Sequence, residues 1–326
     1  MMPSRAKVVM GGPESGNVAE QPAKAGGGFG EDTDPGSITT GLLMRPADFS
    51  DLEYPPAMTS NPQNPRPVVF LHGWCGHGDE VEFIRSALPG PVLPISWMPP
   101  SGEFNLEEWP SEPDLEARKA IALQFANGVL ERVRRTILDA GFAGATLVGH
   151  SMGGGMSCIL AMDPDLSIGS VVMLDSNVPV LDQRRQTSLD QMIPWVDRAA
   201  EAGRLITQAG WIAEASSWVP DFFSLEDQGD SRLRIERRFM FAPVVEAALV
   251  IAGGVQWPIS KAVASITCPV FGLAGEAGRM PVEELLEIRP DARVDHCPGT
   301  GHFPHVFATE LTRTWLESGP LRTTSD

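Results

Sequence analysis

The chain has 326 residues, of which 42% are hydrophobic and 21% charged, and this composition excludes a chain disordered throughout and predicts a packed core. Its 25 basic and 42 acidic residues leave a formal charge of −17, with no Lys/Arg block long enough to line a phosphate backbone, so nucleic acid is not expected as a partner. The length allows one large domain with an inserted subdomain, or two ordinary domains.

Residues 1–38 are rich in Gly, Pro, Ser and Glu, include the run Gly26-Gly27-Gly28, and show neither a helical nor a strand period, so a flexible segment is expected there. The opening MMPSRAKVVMGG lacks the apolar core of a signal peptide. After a strand or hairpin around Ile38 to Met44, the run Arg66-Pro67-Val68-Val69-Phe70-Leu71 reads as a buried strand entering a glycine turn at His72-Gly73. A short helix is expected from Glu80 to Leu88, a strand from Pro91 to Trp97, and a long amphipathic helix from Asp114 to Ala140 with apolar Ile121, Leu123, Phe125, Val129, Leu130, Val133 and Ile137.

Ala145 to Val148 is the next strand and ends in Gly149-His150-Ser151, a helix starts at Met152, and the strand Ser170 to Asp175 follows. This repetition predicts an α/β fold with a mostly parallel central sheet and helices on both faces, because parallel strands need crossover connections.

The pattern breaks between Ser176 and Ala262. An inserted helical cap is expected over residues 177–262, between core segments at 39–176 and 263–326. The insertion holds Trp195, Trp211, Trp218, Phe222, Phe223, Phe239, Phe241 and Trp257. Part of this set builds the cap's own core and part is expected to line a pocket, with Trp74, Trp195, Trp211, Trp218 and Phe222 as candidate substrate contacts. Its most apolar stretch, Phe239 to Trp257, is interrupted by Pro243 and Glu246, so no membrane span is expected and the protein reads as cytoplasmic. Strands resume at Pro269 to Ala274 and Ala292 to Asp295, with a helix at Pro281 to Ile288 between them and a last helix from Phe303 to Leu316. Cys75, Cys158, Cys268 and Cys297 form no C-x-x-C pair and no zinc spacing, so neither a disulfide framework nor a metal site is expected.

Gly149-His150-Ser151-Met152-Gly153 has the form G-x-S-x-G at a strand-to-helix junction. A serine on so sharp a turn projects its hydroxyl out of the sheet, and the glycines remove side chains that would clash with neighbouring strand and helix. His72-Gly73-Trp74 is the loop expected to face it. Attack on an acyl carbon puts negative charge on the carbonyl oxygen, and the N–H groups of Trp74 and Met152 are the expected donors to it. His72 reads as a residue that fixes this loop, and Cys75 as inert.

Gly299-Thr300-Gly301-His302-Phe303-Pro304-His305 follows the last strand. A histidine there can take the serine proton and return it to the leaving group, and His302 is preferred because His305 should already sit on the helix. His77, His150 and His296 read as structural or solvated.

Together these motifs resemble the α/β-hydrolase superfamily, from about Ile38 to Leu316: oxyanion loop, nucleophile, acid and histidine in order, with a cap before the last part of the sheet. The resemblance implies a Ser-His-acid triad. In most members the acid follows the strand after the cap, but here Gly278 occupies that position and Glu276 stands one residue after the strand-ending glycine. The other position known in the superfamily is the end of the strand before the cap, where Asp175 stands. Asp175 is therefore favoured, with Glu276 as the alternative.

The expected reaction is hydrolysis of a carboxylic ester or lactone of an apolar or aromatic small molecule through a serine acyl-enzyme, with no cofactor. Thioester and carbon–carbon bond hydrolysis stay open. His72-Gly73-Trp74-Cys75, with an acid after the strand before the cap, is also similar to the cofactor-independent quinolone dioxygenases on this fold. A non-catalytic receptor is a third class, poorly matched by a chain with nucleophile, histidine and oxyanion loop.

Overall fold

The computed structural model describes residues 66–110, 114–176, 182–202 and 229–321, so the segment 1–38 and the strand expected at Ile38 to Met44 lie outside the described residues. The six strands are β1 (Val68–Leu71), β2 (Val92–Ile95), β3 (Thr146–His150), β4 (Ser170–Leu174), β5 (Val270–Gly275) and β6 (Arg293–Cys297). They form one sheet in the order β2-β1-β3-β4-β5-β6, with every neighbouring pair parallel.

The apolar runs follow from burial of both faces of this sheet. On one face Val69, Leu71, Leu147, Val171 and Met173 pack with α1 (Leu115–Asp139) and α2 (Met152–Leu160). On the other, Val68, Phe70, Val148, Val172 and Leu174 pack with Ile84, Trp315 and Leu316. The stripe that α1 buries runs Arg118, Ala122, Ala126, Val129, Val133, Ile137, at helical spacing. Its two alanines matter: a Cβ on Gly253 would lie 2.1 Å from the Ala122 carbonyl oxygen and 2.5 Å from the Ala126 Cβ, so small residues on both helices permit their close approach.

Two expected helices are divided. From Gly78 to Ala87 the chain makes two 3-10 turns, Gly78–Phe83 and Arg85–Ala87, instead of one helix from Glu80 to Leu88. The first is fixed by a reciprocal cap, in which the His77 ring accepts the Asp79 N–H and Glu80 accepts the His77 N–H. The last helix splits at Ala308 into α8 (Pro304–Phe307) and α9 (Thr309–Ser318), after α7 (Val282–Ile288).

Between β4 and β5 the described chain is helical: α3 (Asp182–Ala202), α4 (Asp230–Phe241), α5 (Val244–Gly254) and α6 (Ile259–Ser265). Asp197 fastens α3 to the core by accepting from Arg118 at 3.1 Å and from the Trp109 indole at 3.0 Å. Arg234 fastens α4 to Asp79 at 3.1 Å, and Arg238 fastens it to Glu80 at 3.0 Å. Among the described residues no single helix is long and apolar enough to cross a membrane; α5 and α6 reach that composition only together, across a 55° bend, and α5 packs against α1 and α3.

Strand order reverses at β1: the chain steps outward to β2 and returns to β3 on the other side. The carboxyl ends on either side of such a reversal diverge and leave a crevice, and His72, Ser151 and Asp175 follow directly on β1, β3 and β4 at that edge.

Candidate active site

Ser151 joins β3 to α2 with φ 50° and ψ −119°, a backbone conformation that residues with side chains rarely adopt and that stores strain. The surrounding glycines make it possible. A Cβ on Gly149 would lie 2.4 Å from the Gly153 backbone, and one on Gly153 would lie 2.2 Å from the Leu71 carbonyl oxygen. The first turn of α2 is thus pressed onto the ends of β1 and β3. Met152, its first residue, has an N–H with no carbonyl to reach within the helix.

The Ser151 hydroxyl lies 2.8 Å from His302 Nε2, and His302 Nδ1 lies 2.6 Å from Asp175 Oδ2. An ionised carboxylate can only accept, so Nδ1 carries the proton and Nε2 presents its lone pair to the serine hydroxyl. His302 is 4% exposed and Asp175 is fully buried.

Asp175 has φ 40°, the second strained residue at this edge. Its carboxylate accepts the N–H groups of Gly275 at 3.0 Å, Arg279 at 2.8 Å and Met280 at 3.4 Å. Burial pushes this carboxyl up, but the His302 hydrogen bond and the Arg279 and Gly275 N–H groups outweigh burial and hold it below its ordinary value. A Cβ on Gly278 would lie 2.1 Å from Asp175 Oδ1. A glycine is therefore needed at position 278 to admit the carboxylate of Asp175. Glu276 is exposed and accepts the Gly299 N–H at 2.7 Å, bracing the turn that leads into the His302 loop.

His72 accepts the Trp97 N–H at 3.1 Å through Nε2 and donates through Nδ1 to the Gly73 carbonyl at 2.6 Å, while its ring stacks on Trp97 with centroids 4.8 Å apart. Burial is the main cause that pushes its pKa down to about 4, so it is neutral and holds the loop. The Trp74 indole donates to the Ala247 carbonyl at 2.9 Å and stacks on Trp195 of α3 at 5.9 Å, which brings these two candidate contacts together. Trp211, Trp218 and Phe222 lie outside the described residues. Cys75 is buried, and burial pushes its thiol well above its ordinary value, against thiolate chemistry. His77 caps the 3-10 turn and His296 is exposed.

Behind His302 lies a polar cluster. His150 donates through Nε2 to the His302 carbonyl at 2.8 Å, its ring is 4.5 Å from that of His305, and His305 Nε2 lies 3.4 Å from Glu80. Glu80, His150 and His305 each offer a ligand atom within 4.8 Å of the others, but the Arg238 guanidinium on Glu80 puts a cation beside them and favours a hydrogen-bonded network over a bound metal. Nothing in the sequence singles Glu80 out, because Arg238 and His305 are 158 and 225 residues away.

The sequence profile of the alpha/beta hydrolase family matches residues 68–314. No curated protein matches. Among solved structures, MenH from S. aureus is similar with a TM-score of 0.61 at 18% identity, over 80% of this chain and 95% of that one. A thermophilic esterase from Thermogutta terrifontis gives a TM-score of 0.56 at 18% identity, over 78% and 90%. An enol-lactonase from Burkholderia xenovorans LB400 gives a TM-score of 0.56 at 15% identity, over 79% and 92%.

Proposed function

The chain belongs to the alpha/beta hydrolase family, and from that premise we propose that it is a serine hydrolase that cleaves a carboxylic ester or lactone of an apolar or aromatic small molecule through an acyl-enzyme. The observation that carries this reading is the hydrogen-bonded line Ser151–His302–Asp175, at 2.8 and 2.6 Å, with the serine on a strained elbow.

In this reading Ser151 Oγ attacks the carbonyl carbon while His302 Nε2 takes its proton. Asp175 keeps the imidazole in the tautomer that can do so and stabilises the imidazolium. The oxyanion is held by the N–H groups of Met152 and Trp74, the first assisted by the positive end of α2. Collapse of the intermediate breaks the bond from the acyl carbon to the leaving oxygen, which receives the proton from His302. Water then repeats the sequence in reverse, giving its proton to His302 and its oxygen to the acyl group, and frees Ser151. The helices between β4 and β5 act as the cap, with Trp195 and Trp74 forming an aromatic wall of the acyl or leaving-group pocket.

A panel of aryl and alkyl esters and lactones, together with a fluorophosphonate probe, tests this. Ser151→Ala is expected to lose hydrolysis and labelling, with kcat falling on the order of 10⁶-fold. Retention of either activity would sink the assignment.

The placement of Asp175 after β4 also supports a second reading, a cofactor-independent dioxygenase in which the His302–Asp175 pair deprotonates an aromatic substrate. The two readings separate on the same variant. Oxygen uptake with a hydroxyquinolone that survives Ser151→Ala would select the oxygenase.

A further inference from the structure

We propose that Glu80 is a positioning residue for the His302 loop, and that Arg238 of α4 is a removable counter-charge for it, so that seating of the cap controls whether a cation stands behind His302. The proposal rests on the serine hydrolase reading for its catalytic consequence, but not for its electrostatics.

Glu80 is 1% exposed. One carboxylate oxygen accepts the His77 N–H at 3.1 Å and Arg238 Nη1 at 3.0 Å, and the other faces His305 Nε2 at 3.4 Å. Burial pushes this carboxyl up, yet the hydrogen bond to His305 and the Arg238 guanidinium beside it hold it below its ordinary value, so it is an anion inside the protein. A buried anion demands a partner. Arg238 comes from the insertion, and His305 comes from the short helix α8, three residues after His302.

His305 is fully buried, and among the described residues its Nδ1 has no hydrogen-bond partner. Among the described residues, the charged or titratable groups around it are Glu80 on the 3-10 turn, with Arg238 and Asp79 behind it, His150 at the end of β3, His72 after β1, and His302 on the loop before α8. Of the rings, His150 is held neutral mainly by burial, with His305 and His302 adding to the effect, and it spends its one N–H on the His302 carbonyl. It can therefore transmit a charge on His305 but cannot absorb one.

With α4 seated, Arg238 and His305 both face Glu80, and Arg238 is the permanent cation of the two. In this proposal, withdrawal of α4 would leave Glu80 facing His305 alone, and a proton taken from solvent by His305 would replace the lost cation. That cation sits in contact with His150, whose ring is 4.9 Å from that of His302, and it opposes the imidazolium that His302 must form. Seating of the cap is thereby linked to the competence of the base.

The test is a ¹⁵N NMR titration of the histidines in the full-length protein without substrate, for wild type, Arg238→Gln, Arg238→Lys and Glu80→Gln. Arg238→Gln is expected to raise the His305 midpoint by at least about one pH unit, Arg238→Lys to restore it, and Glu80→Gln to lower it, following the rule that an anion favours and a cation disfavours the protonated ring. An unmoved midpoint in Arg238→Gln overturns the proposal, and should that variant not fold, an unmoved midpoint in Glu80→Gln does the same. On an ester substrate, Arg238→Gln should lower kcat about tenfold with KM changed less, through the loss of stabilisation of the imidazolium. It should also add a pH-dependent limb that His305→Gln removes. A shifted midpoint with kcat unchanged overturns the link to catalysis. The NMR readout needs no hydrolysis, so failure of the serine hydrolase reading is seen separately, as wild type without esterase or lactonase activity.

Discussion

Strands β4 and β5 lie side by side, and each leads an acid out of its carboxyl end, Asp175 directly and Glu276 after Gly275. The two carboxylates meet opposite surroundings. Asp175 is turned inward by a φ of 40°, is fully buried, and collects the N–H of Gly275 at the end of β5 and those of Arg279 and Met280 just beyond it, as well as the His302 ring. Glu276 is exposed and serves one N–H at Gly299. The turn after β5 thus supplies donors and a vacancy at Gly278, and the strand before it supplies the charge. Two neighbouring strand ends have divided a task, the anion on one and its cradle on the other.

The largest effect that would break this comparison lies at Asp175. Asp175→Asn is expected to lower kcat on the order of 10⁴-fold, because the amide favours the wrong imidazole tautomer. A loss of less than tenfold in steady-state assays would move the acid elsewhere. The same variant has a pH signature. A carboxyl held below its ordinary value stabilises the fold above the unfolded value of 3.8, and that stabilisation is lost as pH falls through the lower folded value. Urea melts between neutral pH and the acid limit should therefore show a smaller acid loss in Asp175→Asn than in wild type.

A middle effect tests the cradle. Gly278→Ala puts a methyl 2.1 Å from Asp175 Oδ1, so either the turn or the carboxylate must shift. The expected cost is about 1–3 kcal/mol in stability, as for overpacking generally, and up to about 100-fold in kcat/KM from misplacement of the imidazole. Equal activity to wild type would show that Asp175 is not held where the geometry puts it. The smallest effect sharpens the contrast from the other side. Glu276→Gln keeps an oxygen for the Gly299 N–H and should change stability by no more than about 0.5 kcal/mol. A loss of activity there comparable to that of Asp175→Asn would reverse the assignment of the acid.

Much of this was legible in the chain because it depends on local rules. The strand VVFL is apolar at every position because both faces of its sheet are covered, and G-x-S-x-G follows from a turn too tight for side chains at Gly149 and Gly153. The preference for His302 over His305 also rested on local order, since Pro304 opens the helix that carries His305. The 3-10 turns at Gly78 to Ala87 were not legible as such, because the Glu80 side chain that closes the cap is also drawn inward by partners far along the chain.

The sequence by itself determined the parallel α/β core, the serine on its elbow and the histidine that follows the last strand, since each is written in a short run of residues whose backbone needs are local. Only the tertiary structure put Asp175 rather than Glu276 against His302 and joined Glu80 to Arg238 and His305. Those outcomes depend on which carboxylate finds donors and space, and the donors come from residues 100 to 225 positions away, brought within hydrogen-bond reach by the order of the strands and the seating of α4.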